Sequence, residues 1–570
     1  MQFDTALSRK EFLRGLMAAT AAGAMAPRGA AQGQSPPSDP AAVTADDLKV
    51  LEKVFAIEFT DEERAALVNS VRGARRGFEN IRTLPIDYTV EPPTPFSPLP
   101  GRSRVASAPR GVSVRPSPPT VKEVPKGEEL AFQSVRNLGE LLRTRKVTSV
   151  QLTQLYLERL RRYGDALLCV VTLTPDLALK QAEQADAEIR AGKSRGPLHG
   201  IPCGVKDLLA TKGIPTTWGA DPYKDQVFDY DAAVVERLRD AGAVLVAKLS
   251  MGALAQGDVW FKGRTRNPWN PATGSSGSSA GSAAATAAGL VGFAIGTETL
   301  GSIVSPSHVC RVTGLRPTYG RVSRRGAMAV SWTMDKIGIL CREVEDCALV
   351  FAAICGADPG DPSSVERPFH YDPRVDLSRL RIGYLSSAGT EGEAAAPQSV
   401  GYLKRLLDLG AKLEPVVVDP IPSGANLVLG VEASAAFDAF TRGDAIDELK
   451  NSAWPSTYRS NRYVPAVEYL QAQRARTLLQ KRFEEQLGDV DVLVADERGG
   501  HTLFVTNLTG HPQVLVPNGT DDRGAARSVS FIGRLYEDDL LLAVARRFQE
   551  TGDAHHLRPD LSKIGTDLNR

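Results

Sequence analysis

The run Gly274-Ser275-Ser276-Gly277-Ser278-Ser279-Ala280-Gly281-Ser282 leads into Ala283-Ala284-Ala285-Thr286-Ala287-Ala288-Gly289, and Gly296-Thr297-Glu298-Thr299-Leu300-Gly301-Ser302 follows. A flexible linker does not normally lead into an alanine-rich segment with a glycine stop, which is a good helix. The first serines therefore belong to tight backbone before a helix, and Ser302 to a second, separate turn. Upstream, Gly204-Val205-Lys206-Asp207 sets one lysine in an apolar, glycine-bounded stretch. Two serines and one lysine are what a serine hydrolase needs if lysine replaces histidine as its base. A serine hydroxyl is a poor nucleophile until a neighbour takes its proton, and a neutral buried lysine can do so. Lysine is neutral only where desolvation or nearby positive charge lowers its proton affinity. Val205, Leu208 and Leu209 favour such burial.

Outward from this centre, Thr148-x-x-Gln151 is a capping-box start for a helix carrying Leu152, Leu155 and Leu160. Val244-Leu245-Val246, Ile382-Gly383-Tyr384-Leu385 and Val492-Leu493-Val494 are short apolar runs beside helical segments. The alternation predicts an α/β fold: a central mixed twisted sheet covered by helices on both faces. Ahead of it, Thr44-x-x-Asp47 and Thr60-x-x-Glu63 open a small helical unit in which Leu48, Leu51, Val54 and Phe55 recur at helical spacing. The proline-rich residues 85–126 should be extended. The expected division is an export signal at 1–31, a helical unit at 32–84, an extended linker at 85–129, a catalytic domain at 130–555 and a tail at 556–570.

The formal net charge of +1, without long blocks of one sign, indicates neither nucleic acid nor an acidic membrane surface as a partner. Six cysteines without Cys-x-x-Cys spacing argue against a zinc site or a disulfide framework and for isolated buried thiols. Arg9, Lys10 and Arg14 precede a short apolar run at 16–26, with small-residue cleavage sites at Ala24-Met25-Ala26 and Gly29-Ala30-Ala31. That pattern predicts export, to the periplasm. Ser8-Arg9-Lys10-Glu11-Phe12-Leu13 resembles a twin-arginine signal with lysine in place of the second arginine. The apolar run is far too short to span a bilayer, and no other segment is a candidate span.

Several further pieces follow in order. They are Gly196-Pro197-Leu198-His199-Gly200-Ile201-Pro202-Cys203-Gly204-Val205-Lys206-Asp207, the serine run from Gly277, the Gly296–Ser302 turn, Thr313-Gly314-Leu315-Arg316-Pro317-Thr318-Tyr319-Gly320-Arg321, Asn507-Leu508-Thr509-Gly510-His511-Pro512 and Phe531-Ile532-Gly533-Arg534. Together they resemble the amidase signature hydrolases over roughly residues 130–550. The resemblance implies a catalytic group of Lys206, a bridging Ser278 preceded by a cis peptide bond, and a nucleophilic Ser302. The register of Gly281-Ser282-Ala283 excludes Ser275 and Ser276 from the bridging role. It further implies an oxyanion hole made by the main-chain amides of Thr299, Leu300, Gly301 and Ser302, an acyl-enzyme intermediate, and no metal or organic cofactor. The substrate is then a small-molecule or peptide-like amide. Neither which amide nor the oligomeric state, a homodimer included, is carried by any motif.

Two departures from the family pattern stand out. Leu300 replaces a glycine usual in the oxyanion turn, and Val304 replaces an arginine common two residues after the nucleophile. Leucine preserves the turn only if its φ stays negative. Glu298 replaces the usual aspartate. His308, near the serine turn, offers a competing Ser–His arrangement, though without a matching acid motif. Besides amide hydrolysis, two functions compete: the amidase subunit of a tRNA-dependent amidotransferase, and a catalytically silent binding protein of the same fold.

Overall fold

The computed structural model describes residues 43–55, 57–85, 111–386, 398, 400–449 and 452–564. The export segment, residues 32–42 of the expected helical unit and residues 86–110 of the expected linker lie outside the described residues. The chain forms two compact units. One is drawn from Met1–Phe96 with Pro420–Arg482, the other from Ser97–Asp419 with Phe483–Arg570. The division differs from the expected boundaries, because residues 420–482 fall with the N-terminal helices and not with the catalytic span.

In the first unit, α1 (Ala45–Phe55) and α2 (Asp61–Arg82) begin where the threonines indicated. Thr60 makes both capping bonds: its hydroxyl accepts from Glu63 N at 3.2 Å and its N–H donates to the Glu63 carboxylate at 2.8 Å. Leu48, Phe59, Leu67 and Val71 pack around Tyr463, which arrives from the distant second segment. The Glu52 carboxylate takes two bonds from the Arg64 guanidinium at 2.9 Å and one from the Tyr463 hydroxyl at 2.8 Å. Of the apolar residues expected on one face of α1, only Leu48 is buried; Leu51, Val54 and Phe55 are exposed, and what α1 shares with its partner some 411 residues away in sequence is Leu48 and the Glu52 carboxylate. The periodicity of α1 alone could not name that partner.

The second unit carries one sheet of eleven strands. In chain order they are β1 (Val170–Leu173), β2 (Pro202–Lys206), β3 (Val244–Leu249), β4 (Phe293–Glu298), β5 (Thr313–Arg316), β6 (Lys336–Cys341), β7 (Arg381–Leu385), β8 (Lys412–Val416), β9 (Val492–Asp496), β10 (Gln513–Thr520) and β11 (Ala526–Gly533). Their spatial order is β8-β7-β9-β11-β10-β5-β6-β4-β2-β3-β1. The three apolar runs singled out in the sequence are β3, β7 and β9. The sheet is mixed: β2 runs parallel to both β3 and β4, whereas β4 is antiparallel to β6. Helices cover both faces, among them α3 (Ser149–Leu167) and α4 (Ala280–Ala287). Leu157 and Leu160 of α3 and Ala283, Ala284, Ala285 and Ala287 of α4 bury into one cluster with Val244 and Val246 of β3. Leu561 and Ile564, from the expected tail, join that same cluster.

Part of the expected linker is also built into this unit. Val112–Val114 is extended, as its prolines required, and pairs in parallel with Phe369–Tyr371. All six cysteines are buried and unbridged. Among the described residues no helix is long and apolar enough to cross a membrane.

The first unit depends on a small core, so Leu67→Ala should cost it about 2–5 kcal/mol, the usual range for such a truncation. Hydrogen exchange in α1 and α2 would read this as lost protection. Unchanged protection would mean that Leu67 does not hold the two helices together.

Candidate active site

Lys206 is the last residue of β2, and β4 ends four residues before Ser302. Because β2 and β4 are adjacent and parallel, with Val205 opposite Ile295, both chain exits open at the same edge of the sheet. This is where open α/β sheets bring loops together around ligands. Ser278 reaches the same edge from the loop before α4. Its preceding peptide bond, Gly277–Ser278, is cis. Residue 277 has to be glycine there, since a Cβ would lie 1.8 Å from the Gly257 carbonyl oxygen.

Lys206 Nζ donates to the hydroxyl oxygens of Ser278 at 2.8 Å, Thr297 at 2.9 Å and Ser279 at 3.2 Å. The Thr297 carbonyl, at 3.3 Å, is a further acceptor. Four neutral oxygens thus surround an amine that is fully buried. Burial pushes the Lys206 pKa down to about 7, and the negative charges of Asp335 and Glu298 only partly oppose this. Ser278 and Ser279 both touch the amine, yet they differ. The Ser279 hydroxyl also donates to the Thr297 carbonyl at 3.0 Å, which commits its proton, whereas the Ser278 hydroxyl has no hydrogen-bond partner other than Lys206 among the described residues. Ser275 and Ser276 are engaged elsewhere: the Ser275 hydroxyl donates to the Ser276 carbonyl, and Ser276 N–H to Asp258.

Exposure rises across the group, from 0% at Lys206 through 1% at Ser278 to 9% at Ser302. The Ser302 carbonyl accepts from Ser279 N–H at 3.1 Å, which docks the second turn against the first. No hydrogen bond joins the Ser278 and Ser302 hydroxyls among the described residues. The geometry therefore brings together Lys206 and Ser278 directly, and Ser302 through its main chain.

The N–H groups of Thr299, Leu300, Gly301 and Ser302 donate to no acceptor among the described residues. Leu300 is not among the residues of positive φ; Gly301 takes that conformation, at +81°. Leucine is thus accommodated because the left-handed position of the turn falls one residue later. The turn is closed by Glu298, whose Oε2 accepts from Ile303 N at 2.8 Å and Val304 N at 2.9 Å. These residues lead into α5 (Val304–Cys310). Glu298 Oε1 accepts from Arg316 Nη1 at 2.7 Å and Asn507 Nδ2 at 2.8 Å. Burial by itself would raise the Glu298 pKa, but the Arg316 charge and these bonds bring it to about 2. The buried cation beside Glu298 is thus Arg316 from β5, while Val304 lies buried at the start of α5. The motif pieces at 313–316 and 507–511 converge here, since Arg316 also donates to the His511 carbonyl at 3.0 Å. His308 pairs with the Ser528 hydroxyl at 2.8 Å and makes no bond to Ser302 among the described residues, which removes the support for a Ser–His arrangement.

Sequence reasoning did not single out Ser279, Thr297 or Asp335. Ser279 and Thr297 lie inside quoted motifs, but their contacts with the amine depend on strand register. Asp335 lies in no motif at all. Leu503 borders the turn, 3.4 Å from where a Cβ on Gly301 would stand. It also lines a cavity of about 480 Å³ with Tyr402, Asp496, Arg498 and His501.

The chain belongs to the amidase family, whose profile matches residues 151–496. It is accordingly an amide-cleaving enzyme. The A-type chain of the glutamyl-tRNA(Gln) amidotransferase of Methylococcus capsulatus is 36% identical over 482 residues, spanning 74% of this chain and 98% of that protein. Its counterpart in Moorella thermoacetica is 34% identical, spanning 76% and 99%. Among solved structures, the native peptide amidase of Stenotrophomonas maltophilia is 29% identical, with a TM-score of 0.67, over 77% of this chain and all of that one, 100%.

Glu298→Gln would leave the Arg316 guanidinium buried without its anion. Such a loss typically costs about 3–5 kcal/mol, so the urea unfolding midpoint should fall sharply. An unchanged midpoint would show that the four bonds to Glu298 do not hold the turn.

Proposed function

We propose that this enzyme is a serine amidohydrolase that cleaves a carboxylic C–N bond through an acyl-enzyme on Ser302, with Ser278 and Lys206 as a proton relay. The observation that carries this reading is the 2.8 Å bond between Lys206 and Ser278 in a buried site, with Ser302 at its more exposed edge under four amides that have no acceptor among the described residues. Ser302 Oγ attacks the amide carbonyl carbon. Its proton passes to Ser278 Oγ while the Ser278 proton passes to neutral Lys206. The carbonyl oxygen, now an anion, receives the N–H groups of residues 299–302; in comparable sites one such donor is worth roughly 3 kcal/mol. The proton returns through Ser278 to the leaving nitrogen, the C–N bond breaks, and water hydrolyses the ester. The hydroxyl contact between Ser302 and Ser278 is absent from the resting geometry. We assign its formation to substrate binding, where such bonds commonly tighten.

A second reading, favoured by the curated relatives, is the amidase subunit of a tRNA-dependent amidotransferase. The two separate by activity in isolation. A hydrolase releases amine or ammonia from simple amides on its own, whereas one component of an amidotransferase does so only with its partner chains and a charged tRNA. Export, proposed from Arg9-Lys10 and the apolar run at 16–26, favours the hydrolase, and a full-length cytosolic protein starting at Met1 would remove that support.

Labelling with a fluorophosphonate and mapping the adduct by mass spectrometry test the roles. Ser302→Ala should abolish the adduct. Ser278→Ala should slow labelling by about 10²–10⁴-fold, the usual contribution of a positioned proton carrier, and Lys206→Ala should slow it as well, most severely at low pH. Because the amine must be neutral to accept a proton, and its pKa is about 7, the wild-type rate should rise with pH through a midpoint near 7 and then level off. An adduct on Ser278, Ser305 or Ser307, or a rate that falls with pH across that range, would overturn the assignment.

A further inference from the structure

Asp335 immediately precedes β6 and lies outside every motif that led to the site. Its Oδ1 accepts the Thr299 hydroxyl at 2.6 Å. Its Oδ2 accepts the main-chain N–H of Val330 at 2.8 Å and of Ser331 at 3.0 Å. One carboxylate thus closes the loop 330–335 on itself and ties that loop to the first residue of the 299–302 turn. The loop is fixed at a second point, where the Tyr319 hydroxyl donates to the Trp332 carbonyl at 2.7 Å. Arg324 donates to the same carbonyl. Thr299 therefore hangs from an anchored element.

The Glu298 knot holds the other end. Its bonds reach Ile303 and Val304, beyond Ser302, and nothing in them restrains residues 299–301. Four amides left without acceptors can only converge on one point if both ends of their turn are held. We propose that Asp335 is a positioning residue for the reaction, fastening the oxyanion turn through the Thr299 hydroxyl to the loop 330–335. The proposal rests on the reading that the amides of this turn receive the oxyanion.

The same carboxylate acts on the base through space. Asp335 and Glu298 are the two negative charges that favour the protonated form of Lys206. The Glu298 charge is offset by Arg316 and Lys336; burial raises the Asp335 pKa, opposed by its three hydrogen bonds and the Arg324 charge. On the far side of β2, Asp207 is paired with Lys248 at 3.2 Å. Removing the Asp335 charge, but not the Thr299 hydroxyl, should therefore make Lys206 easier to deprotonate.

The experiment is saturation kinetics of fluorophosphonate labelling on the full chain, with Thr299→Val, Thr299→Ser, Asp335→Asn and the Thr299→Val/Asp335→Asn pair. Thr299→Val keeps the shape of the side chain and removes only the tether, so it tests the proposal even if Asp335→Asn fails to fold. Both single changes should lower the maximal labelling rate about 10- to 100-fold, somewhat less than loss of a whole donor. The half-saturating probe concentration should stay within about threefold. The pair should be little slower than the worse single change, because both cut one connection. Thr299→Ser should restore most of the rate. Asp335→Asn should also move the midpoint of the pH–rate profile below the wild-type value, while Thr299→Val leaves it in place. A Thr299→Val protein that labels Ser302 at the wild-type rate overturns the proposal alone, as do additive losses in the pair. Absence of any adduct on Ser302 in the wild-type protein overturns the underlying reading, and the proposal with it.

Discussion

An amine buried at the carboxyl end of an interior strand is the constraint to which the second unit answers. Taking a charged ammonium out of water costs several kcal/mol unless an ion partner compensates. At Lys206 no carboxylate is bonded to the nitrogen among the described residues; its acceptors are hydroxyl and carbonyl oxygens. The surroundings therefore leave the neutral form accessible near pH 7, which an ordinary surface lysine would not be. The contrast lies one strand away. Lys248 is just as buried, and burial lowers its pKa as well, but its nitrogen lies 3.2 Å from the Asp207 carboxylate, whose charge opposes that shift at contact distance. Two buried lysines on neighbouring strands thus differ in their immediate partners: a carboxylate lies beside Lys248, and only neutral oxygens bond Lys206.

The second organising element is the Glu298 carboxylate. It accepts four hydrogen bonds from three separated stretches of chain and is matched by one buried arginine. Its position explains why Leu300 and Val304 can be accommodated where the family usually has other residues. The positive φ falls on Gly301, and a cation from β5 balances the acid, so an apolar residue fits at the start of α5. In this chain the turn is held by the side chains of Glu298 and Thr299, each bonded to partners from other stretches of the chain.

The first unit follows a different logic. Its helices start at local capping signals, but their buried residues, Leu48, Glu52, Leu67 and Val71, meet Tyr463 of the 420–482 segment. A capped amphipathic helix states that it has a buried face, not what covers it. Contacts of such long sequence separation must overcome loop closure before they stabilise anything, and no local pattern records them.

Local patterns in the chain were enough for much of the rest. Capping residues placed the starts of α1, α2 and α3; short apolar runs placed β3, β7 and β9; the glycine–serine run and the Gly296–Ser302 segment marked two tight turns, within which the family resemblance pointed to Ser278 and Ser302. These are short-range matters of backbone propensity and of side chains bonding to their own helix ends, and they are written within a few residues. The order of the eleven strands, the grouping of 420–482 with the N-terminal helices, the difference between Ser278 and Ser279, and the meeting of Glu298 with Arg316 and Asn507 are of another kind. They depend on which strand lies beside which and on how deeply a charge is buried. Desolvation and ion pairing act between atoms close in space whatever their distance along the chain, so only the tertiary structure decided them.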